Sequence, residues 1–252
     1  MTSGLIRRDV SGAVLTLTLA RADKLNAFTS AMLRELRGAI SEAGETPALR
    51  VLVLTGEGRA FSTGQDLSAL DGDDVNAILA RDYEPLVLAL MDSPLVTIAA
   101  VNGTALGAGA NIALSCDIAV AAERATIVQA FVRIGLIPDA GGTWLLPRLV
   151  GLRNAMALAL TGDSLTAREA QGMGLFYRVF PDDRFEAEVM AMAQAIAGRS
   201  PTACRLIKQS LRASLGNDLP TQLTLEAELQ GRAAETDEFR DAVKAFLARK
   251  AS

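Results

Sequence analysis

Three glycine-bearing segments, each behind a predicted strand, are where this sequence could do chemistry with its backbone. They are Thr55-Gly56-Glu57-Gly58 leading to Ser62-Thr63-Gly64-Gln65-Asp66, then Asn102-Gly103-Thr104-Ala105-Leu106-Gly107-Ala108-Gly109, and finally Gly141-Gly142. A dinucleotide fingerprint is incomplete in the first two. Ile112 stands where Gly107-x-Gly109 needs a third glycine, and Phe61 where Gly56-x-Gly58 needs one. No G-x-x-x-x-G-K-[ST] run occurs, so a phosphate-cradling loop is absent. Lone glycines of this kind serve tight turns and close packing. Two such loops, each opening a helix after neighbouring buried strands, can instead aim backbone N–H groups at one pocket, which makes an anion or oxyanion site.

Side-chain chemistry is narrowed by what the chain lacks. It has no histidine, which excludes Ser/Cys-His catalysis and His-ligated metal sites. Two cysteines, Cys116 and Cys204, are too few for a four-Cys zinc site or a disulfide framework, and their separation suits a reducing, cytoplasmic setting. Lys and Arg total 25 against 29 Asp and Glu, a net charge of −4. That balance offers no electrostatic footprint for nucleic acid or an anionic membrane. Apolar stretches are broken by Gly, Thr, Asn or Asp short of a spanning helix, and no apolar run behind Met1–Asp9 resembles a signal peptide.

The elements that must position these loops follow from periodicity. Val14-Leu15-Thr16-Leu17-Thr18-Leu19 alternates as a half-buried strand does. Arg50–Leu54 and Leu95–Val101 are almost wholly apolar, as in strands covered on both faces. Between them Thr29 caps a helix with Met32, Leu33, Leu36 and Ile40 on one face, and a second helix spans Val75–Met91 with Pro85 bending it. Gly107–Ser115 reads as a helix and Asp117–Val120 as the strand after it. This alternation predicts an α/β core of crossover units.

After about Thr161 the texture turns helical. Thr166-Ala167-Arg168-Glu169 is a capping box, and Ser200-Pro201 an N-cap with Pro at the first helical position. Leu206, Leu211, Leu215, Leu223, Leu225 and Leu229 recur at helical spacing, with Tyr177–Phe180 the one strand candidate. The expected organisation is a core over residues 1–195 and a helical region over 196–252. Its Leu- and Ala-rich helices suit burial against another subunit. Cys116 is expected to be inert in an apolar segment, Asp117 to cap or pair, and the charge run Arg232–Lys250 to be a solvated helix face.

Four segments together resemble the crotonase (enoyl-CoA hydratase/isomerase) superfamily: Lys24-Leu25-Asn26-Ala27, Phe61-Ser62-Thr63-Gly64-Gln65-Asp66-Leu67, Ala100-Val101-Asn102-Gly103 with Gly107-Ala108-Gly109, and Gly135-Leu136-Ile137-Pro138-Asp139-Ala140-Gly141-Gly142-Thr143. They fall in the family's order and approximate spacing, over essentially the whole chain. The run Phe131–Pro147 looks most like the isomerases acting on 1,2-epoxyphenylacetyl-CoA, and Ile207-Lys208-Gln209 fits that branch. The resemblance implies a crotonase-like spiral of βαβ units with a C-terminal helical trimerisation region, assembled as a homotrimer or homohexamer. It implies an acyl-CoA thioester as substrate, with coenzyme A belonging to the substrate, no separate cofactor and no metal.

Residue by residue, the resemblance makes the backbone N–H groups of Thr63 and Ala108 the oxyanion hole, Thr63 standing where a smaller residue is commoner. It places Lys24 and the loop Ser62, Gly64, Gln65, Asp66 along the CoA nucleotide, and makes Leu67, Gly107, Asn111, Phe131 and Trp144 further residues that bind CoA or the acyl group. Family hydratases activate water with two glutamates; here Asn111 and Phe131 occupy those positions, which argues against that route. The carboxylate left near the thioester is Asp139. Its bland reading is an N-cap for the helix beginning near Gly141. With the resemblance it becomes a catalytic base that apolar neighbours push towards neutral pKa. Trp144 lines an aryl pocket or is ordinary core; Tyr83 and Phe131 shape the acyl cavity or simply pack. The activity implied is acyl-CoA isomerisation, on ring-epoxide or 3-enoyl substrates. Its rivals are hydration, an aspartate-nucleophile aryl-CoA dehalogenase or hydrolase, and a non-catalytic acyl-CoA-binding relative.

Overall fold

A computed structural model describes residues 4–69 and 74–250, so the first three residues of the polar N-terminus lie outside it. The chain divides into two compact units, residues 1–194 and 195–252.

In the first unit the alternating segment forms β2 (Val14–Leu19), paired antiparallel with β1 (Ile6–Ser11). Sequence patterning missed β1. Only Ile6 in it is buried, so Arg7, Arg8 and Asp9 give no alternation to read. As an edge strand it is paired on one side only. Next come α1 (Ser30–Gly44), β3 (Val51–Gly56) and β4 (Ala60–Ser62). Thr29 caps α1 by accepting from Met32 N, and Met32, Leu33, Leu36 and Ile40 are all buried.

The helical stretch expected from Val75 to Met91 is interrupted. It runs as α2 (Val75–Ile78), a wide five-residue π turn (Leu79–Tyr83) and α3 (Glu84–Met91), with Pro85 in the first turn of α3. Proline cannot donate to a regular helical ladder, and the wide turn absorbs the irregularity. Then follow β5 (Val96–Val101), β6 (Thr104–Leu106), α4 (Ala108–Leu114), β7 (Ile118–Ala122) and β8 (Thr126–Val128). The unit closes with α5 (Gly142–Thr161), β9 (Ser164–Thr166), α6 (Ala167–Met173), β10 (Arg178–Phe180) and α7 (Phe185–Ala197), which runs across the boundary. β9 was not expected. Its residues are exposed or half-buried, so they lack the apolar signature of a strand.

Strands β3, β5 and β7 each continue, after a short bend, into β4, β6 and β8. The first set joins a six-stranded sheet ordered β1-β2-β3-β5-β7-β10, parallel apart from β1; the second joins a four-stranded sheet ordered β4-β6-β8-β9. Each turn of the chain thus lays one strand in either sheet, so the loops after β4 and β6 emerge side by side. Asn102, nearly buried, fixes the bends: its Oδ1 accepts from Gly56 N at 3.1 Å, its Nδ2 donates to Gly58 O at 3.0 Å, and its carbonyl accepts from Arg124 Nε at 2.9 Å. Asp117 pairs structurally, accepting from Thr97 N at 2.8 Å and Thr97 Oγ1 at 3.0 Å.

The second unit contains α8 (Pro201–Ala213), α9 (Leu219–Ala234) and α10 (Asp237–Lys250). Ser200 caps α8 by accepting from Ala203 N at 3.2 Å. Gln222 Nε2 ties α9 to α8 through Ser210 O at 3.1 Å. Leu206 and Leu229 are buried, whereas Ile207, Leu211, Leu215 and Leu223 are exposed. The charged residues Asp237, Glu238, Arg240, Asp241 and Lys244 of α10 are exposed as expected, but Phe239, Val243, Phe246 and Leu247 share that exposure. Among the described residues, no helix is long and apolar enough to cross a membrane.

Candidate active site

Two motifs far apart in sequence are stapled into one wall. The Lys24–Ala27 turn carries two consecutive non-glycine residues in the left-handed region, Leu25 (φ 51°) and Asn26 (φ 55°). Asn26 is fully buried. It donates to Glu57 O at 3.0 Å and Ala60 O at 2.8 Å, and accepts from Arg21 N at 3.0 Å. Its backbone carbonyl accepts from Ser62 Oγ at 2.8 Å, while Phe28 N donates to Gly64 O at 2.7 Å. Ser62 and Gly64 are therefore structural supports of the loop. Asp66 accepts from Arg21 Nη2 at 2.8 Å and from Ser68 Oγ at 2.6 Å; the Ser68 bond first, then Arg21, hold its carboxyl below the usual range. Lys24 is exposed on this turn.

The same loop is pressed against the start of α4. A Cβ on Gly109 would lie 2.4 Å from Ser62 O, and one on Gly64 (φ 79°) would lie 2.9 Å from Leu106 O and 3.2 Å from Ala108 N. Only glycine permits this approach. Ala108 begins α4, where the first-turn N–H groups lack intrahelical acceptors. Thr63 differs from expectation. Its loop leads into a short 3₁₀ turn (Leu67–Ala69) rather than an α-helix, and its N–H already donates to Leu25 O, at 3.2 Å.

A cavity of about 290 Å³ opens beside these amides. Thr63, Gly107, Ala108 and Asp139 reach it from the core, and Gln65 and Leu67 from the loop after β4. Ile78, Leu79 and Tyr83 reach it from the stretch before α3, and Phe131, Ile134 and Leu136 from the 3₁₀ turn after β8 and the residues following it. Tyr83 and Phe131 both belong to this wall. Tyr83 is buried, packs its ring edge-on to Phe28 and donates to Gln65 Oε1 at 2.9 Å. Burial first, then the charges of Asp139 and Asp82, push its phenol well above its ordinary pKa. Sequence reading missed the anchor of that segment, Asp82. Burial alone would raise its carboxyl, but hydrogen bonds from Arg81 and Ser30 and the charges of Arg81 and Arg34 hold it below the usual range.

Asp139 Oδ1 is buried and has no hydrogen-bond partner. Desolvation raises its pKa to about 6, with its own backbone N–H opposing slightly. It does not cap α5: the N-cap is Gly141, with no side-chain cap bond. Ala140 behind it is left-handed (φ 46°), an uncommon conformation for a residue with a Cβ. The Asp139 carbonyl accepts from Gly142 N and from Asn111 Nδ2, both at 2.8 Å. Asn111 is fully buried and does not line the cavity. Trp144 does not line it either; it is 41% exposed, with Arg148 stacked 4.2 Å from its ring centroid. Gln129, unremarked in the sequence, donates to Asn111 Oδ1 at 2.9 Å.

A strand-paired spiral that presents backbone amides and, among the described residues, one carboxyl with a buried oxygen to a largely apolar cavity agrees with what the chain is similar to. Residues 9–252 match the enoyl-CoA hydratase/isomerase family model, and the chain belongs to that family of enzymes. A probable enoyl-CoA hydratase of Rhodobacter capsulatus is 45% identical, covering 99% of this chain and 97% of that protein. The 1,2-epoxyphenylacetyl-CoA isomerase of Escherichia coli is 40% identical, covering 96% and 94%. The solved enoyl-CoA hydratase of Bacillus anthracis superposes with a TM-score of 0.93 at 32% identity, over 97% of this chain and 96% of that one.

Proposed function

We propose that the protein is an acyl-CoA isomerase in which Asp139 moves a proton within a thioester-activated substrate. The observation that carries this reading is the Asp139 carboxyl: desolvated, with Oδ1 buried and unpartnered, and lining a largely apolar cavity beside the Ala108 and Thr63 amides. For a 3-enoyl-CoA, the carboxylate takes a proton from the carbon between the thioester carbonyl and the double bond. The electron pair delocalises into a dienolate whose oxygen the two N–H groups hold. The protonated Asp139 then returns a proton to the far carbon, leaving the double bond conjugated with the thioester. No proton is gained or lost, and no second acid is required. Removing one oxyanion donor typically costs about 100- to 1,000-fold, so the hole carries much of the rate. Thr63 serves it by sharing its N–H between Leu25 O and the thioester oxygen. Ring-epoxide thioesters fit the same requirements, with the hole assisting ring opening.

A hydratase reading has support in the Rhodobacter relative's name. Water activation by two carboxylates, however, has only Asn111 and Phe131 at the positions the family resemblance assigns to them. The direct test is conversion of trans-3-hexenoyl-CoA by the wild type and Asp139→Asn, read by absorbance of the conjugated product. Equal rates would overturn the reading. We further propose that the exposed apolar faces of α8, α9 and α10 are covered in a homotrimer or homohexamer, which a solution mass of one chain, 26.5 kDa, would contradict.

A further inference from the structure

Gln129, Asn111 and Asp139 form a chain of hydrogen bonds whose direction is set at one end. A backbone carbonyl can only accept, so Asn111 must present Nδ2 to Asp139 O, at 2.8 Å. That turns Asn111 Oδ1 to Gln129, which must present Nε2, at 2.9 Å. Gln129 Oε1 is left buried with no partner. Neither amide can flip to relieve it without setting two oxygens against each other.

The gripped carbonyl sits at a strained corner. Ala140 and Gly141 behind it are both left-handed, at φ 46° and 81°. Space for the grip exists only because residue 142 is glycine, where a Cβ would come within 2.3 Å of Asn111 Nδ2. Gln129 itself stands at the head of the 3₁₀ turn that carries Phe131 into the cavity wall. The relay therefore joins that wall, α4 and the Asp139 turn. Neither amide residue lines the cavity.

Resting on the isomerase reading above, we propose that Asn111 and Gln129 are positioning residues: Asn111 grips the Asp139 carbonyl and Gln129 orients Asn111, and together they hold Ala140 and Gly141 left-handed and keep the Asp139 carboxylate directed into the cavity. Asn111 thereby spends on the backbone the donor that a water-orienting residue would need.

The test uses the full chain carrying Asn111→Leu, which keeps the side-chain outline and removes both amide bonds, and Gln129→Met, which leaves Asn111 without its orienting donor. Turnover of trans-3-hexenoyl-CoA and the ¹³C titration of the Asp139 carboxyl are read together. A misplacement of about 1 Å costs on the order of 100-fold, so Asn111→Leu should lower kcat by up to that factor, Gln129→Met by less, with KM changed by no more than about 2-fold. In both, the Asp139 titration should fall from about 6 towards the ordinary carboxylate range as the turn relaxes into solvent. Unchanged kcat with an unchanged titration overturns the proposal, as does a loss of kcat with the titration unmoved, the mark of a merely structural role. If Asn111→Leu does not fold, Gln129→Met decides alone by the same two readings. Asp139→Asn run alongside separates the two ideas: its full activity would defeat the isomerase reading, while the titrations would still report on the grip.

Discussion

Asn111 Nδ2 donates to the carbonyl oxygen of Asp139 at 2.8 Å, so the side chain standing where the family resemblance puts a water-activating glutamate is committed to the backbone. Phe131, at the second such position, is buried in the cavity wall. The chain should therefore add water to crotonyl-CoA poorly. General acid–base catalysis contributes about 100- to 10,000-fold, so hydration should run at least about 100-fold slower than 3-enoyl isomerisation. Side-by-side spectrophotometric rates check this, and comparable rates would contradict the isomerase assignment.

The pH dependence of turnover should follow the Asp139 carboxyl. Its pKa is raised to about 6 by desolvation, and the base must be ionised to take a proton. kcat/KM should rise with pH through about 6 and level off above about 7. No histidine is present to titrate in this range, and the Tyr83 phenol stays protonated far above it. A profile flat from pH 4.5 to 8 would not fit.

The same carboxyl should destabilise the fold at neutral pH. Its folded pKa lies above the unfolded value, so between about pH 4 and pH 6 the folded chain holds a proton that the unfolded chain has lost. Stability from this group is greatest below about pH 4 and declines as pH rises through 6. Asp139→Asn removes the buried charge and should stabilise the protein by roughly 1–2 kcal/mol at pH 7 but not at pH 4. Urea unfolding at the two pH values measures it; equal effects at both would point to packing instead of charge.

Much of this arrangement is legible in the sequence where one element supplies its own signal. The Thr29 cap with its buried Met32-Leu33-Leu36-Ile40 face and the Thr166–Glu169 capping box recur in the structure, and Val14–Leu19 is a strand as read, but buried on both faces and not half-buried, since it is paired inside the sheet between β1 and β3. The raised pKa expected for Asp139 goes with its own desolvation, whereas Ile134, Leu136 and Ile137 in the apolar run before it are exposed. What escaped depends on partners distant in the chain or on solvent-facing residues. Strand β1 is polar because it lies at a sheet edge. Thr63 N–H donates to the carbonyl of Leu25, 38 positions away, through a left-handed turn that propensity does not favour. Gln129 has no periodic context, and its role arises only when Asn111, 18 residues earlier, is brought against it. Trp144, read as lining an aryl pocket or as ordinary core, does neither: it stands on the exposed side of α5 while its neighbours Leu145 and Leu146 are buried, a facing that a lone aromatic does not announce in sequence.

The most direct measurement follows a label placed on the carbon that Asp139 is said to deprotonate. With trans-3-hexenoyl-CoA deuterated beside the thioester carbonyl, the wild type should form the conjugated product with part of the deuterium moved to the far carbon. Asp139→Asn should form product at least about 100-fold more slowly. Turnover by that variant within about 3-fold of wild type, with the same label transfer, would mean that another group moves the proton.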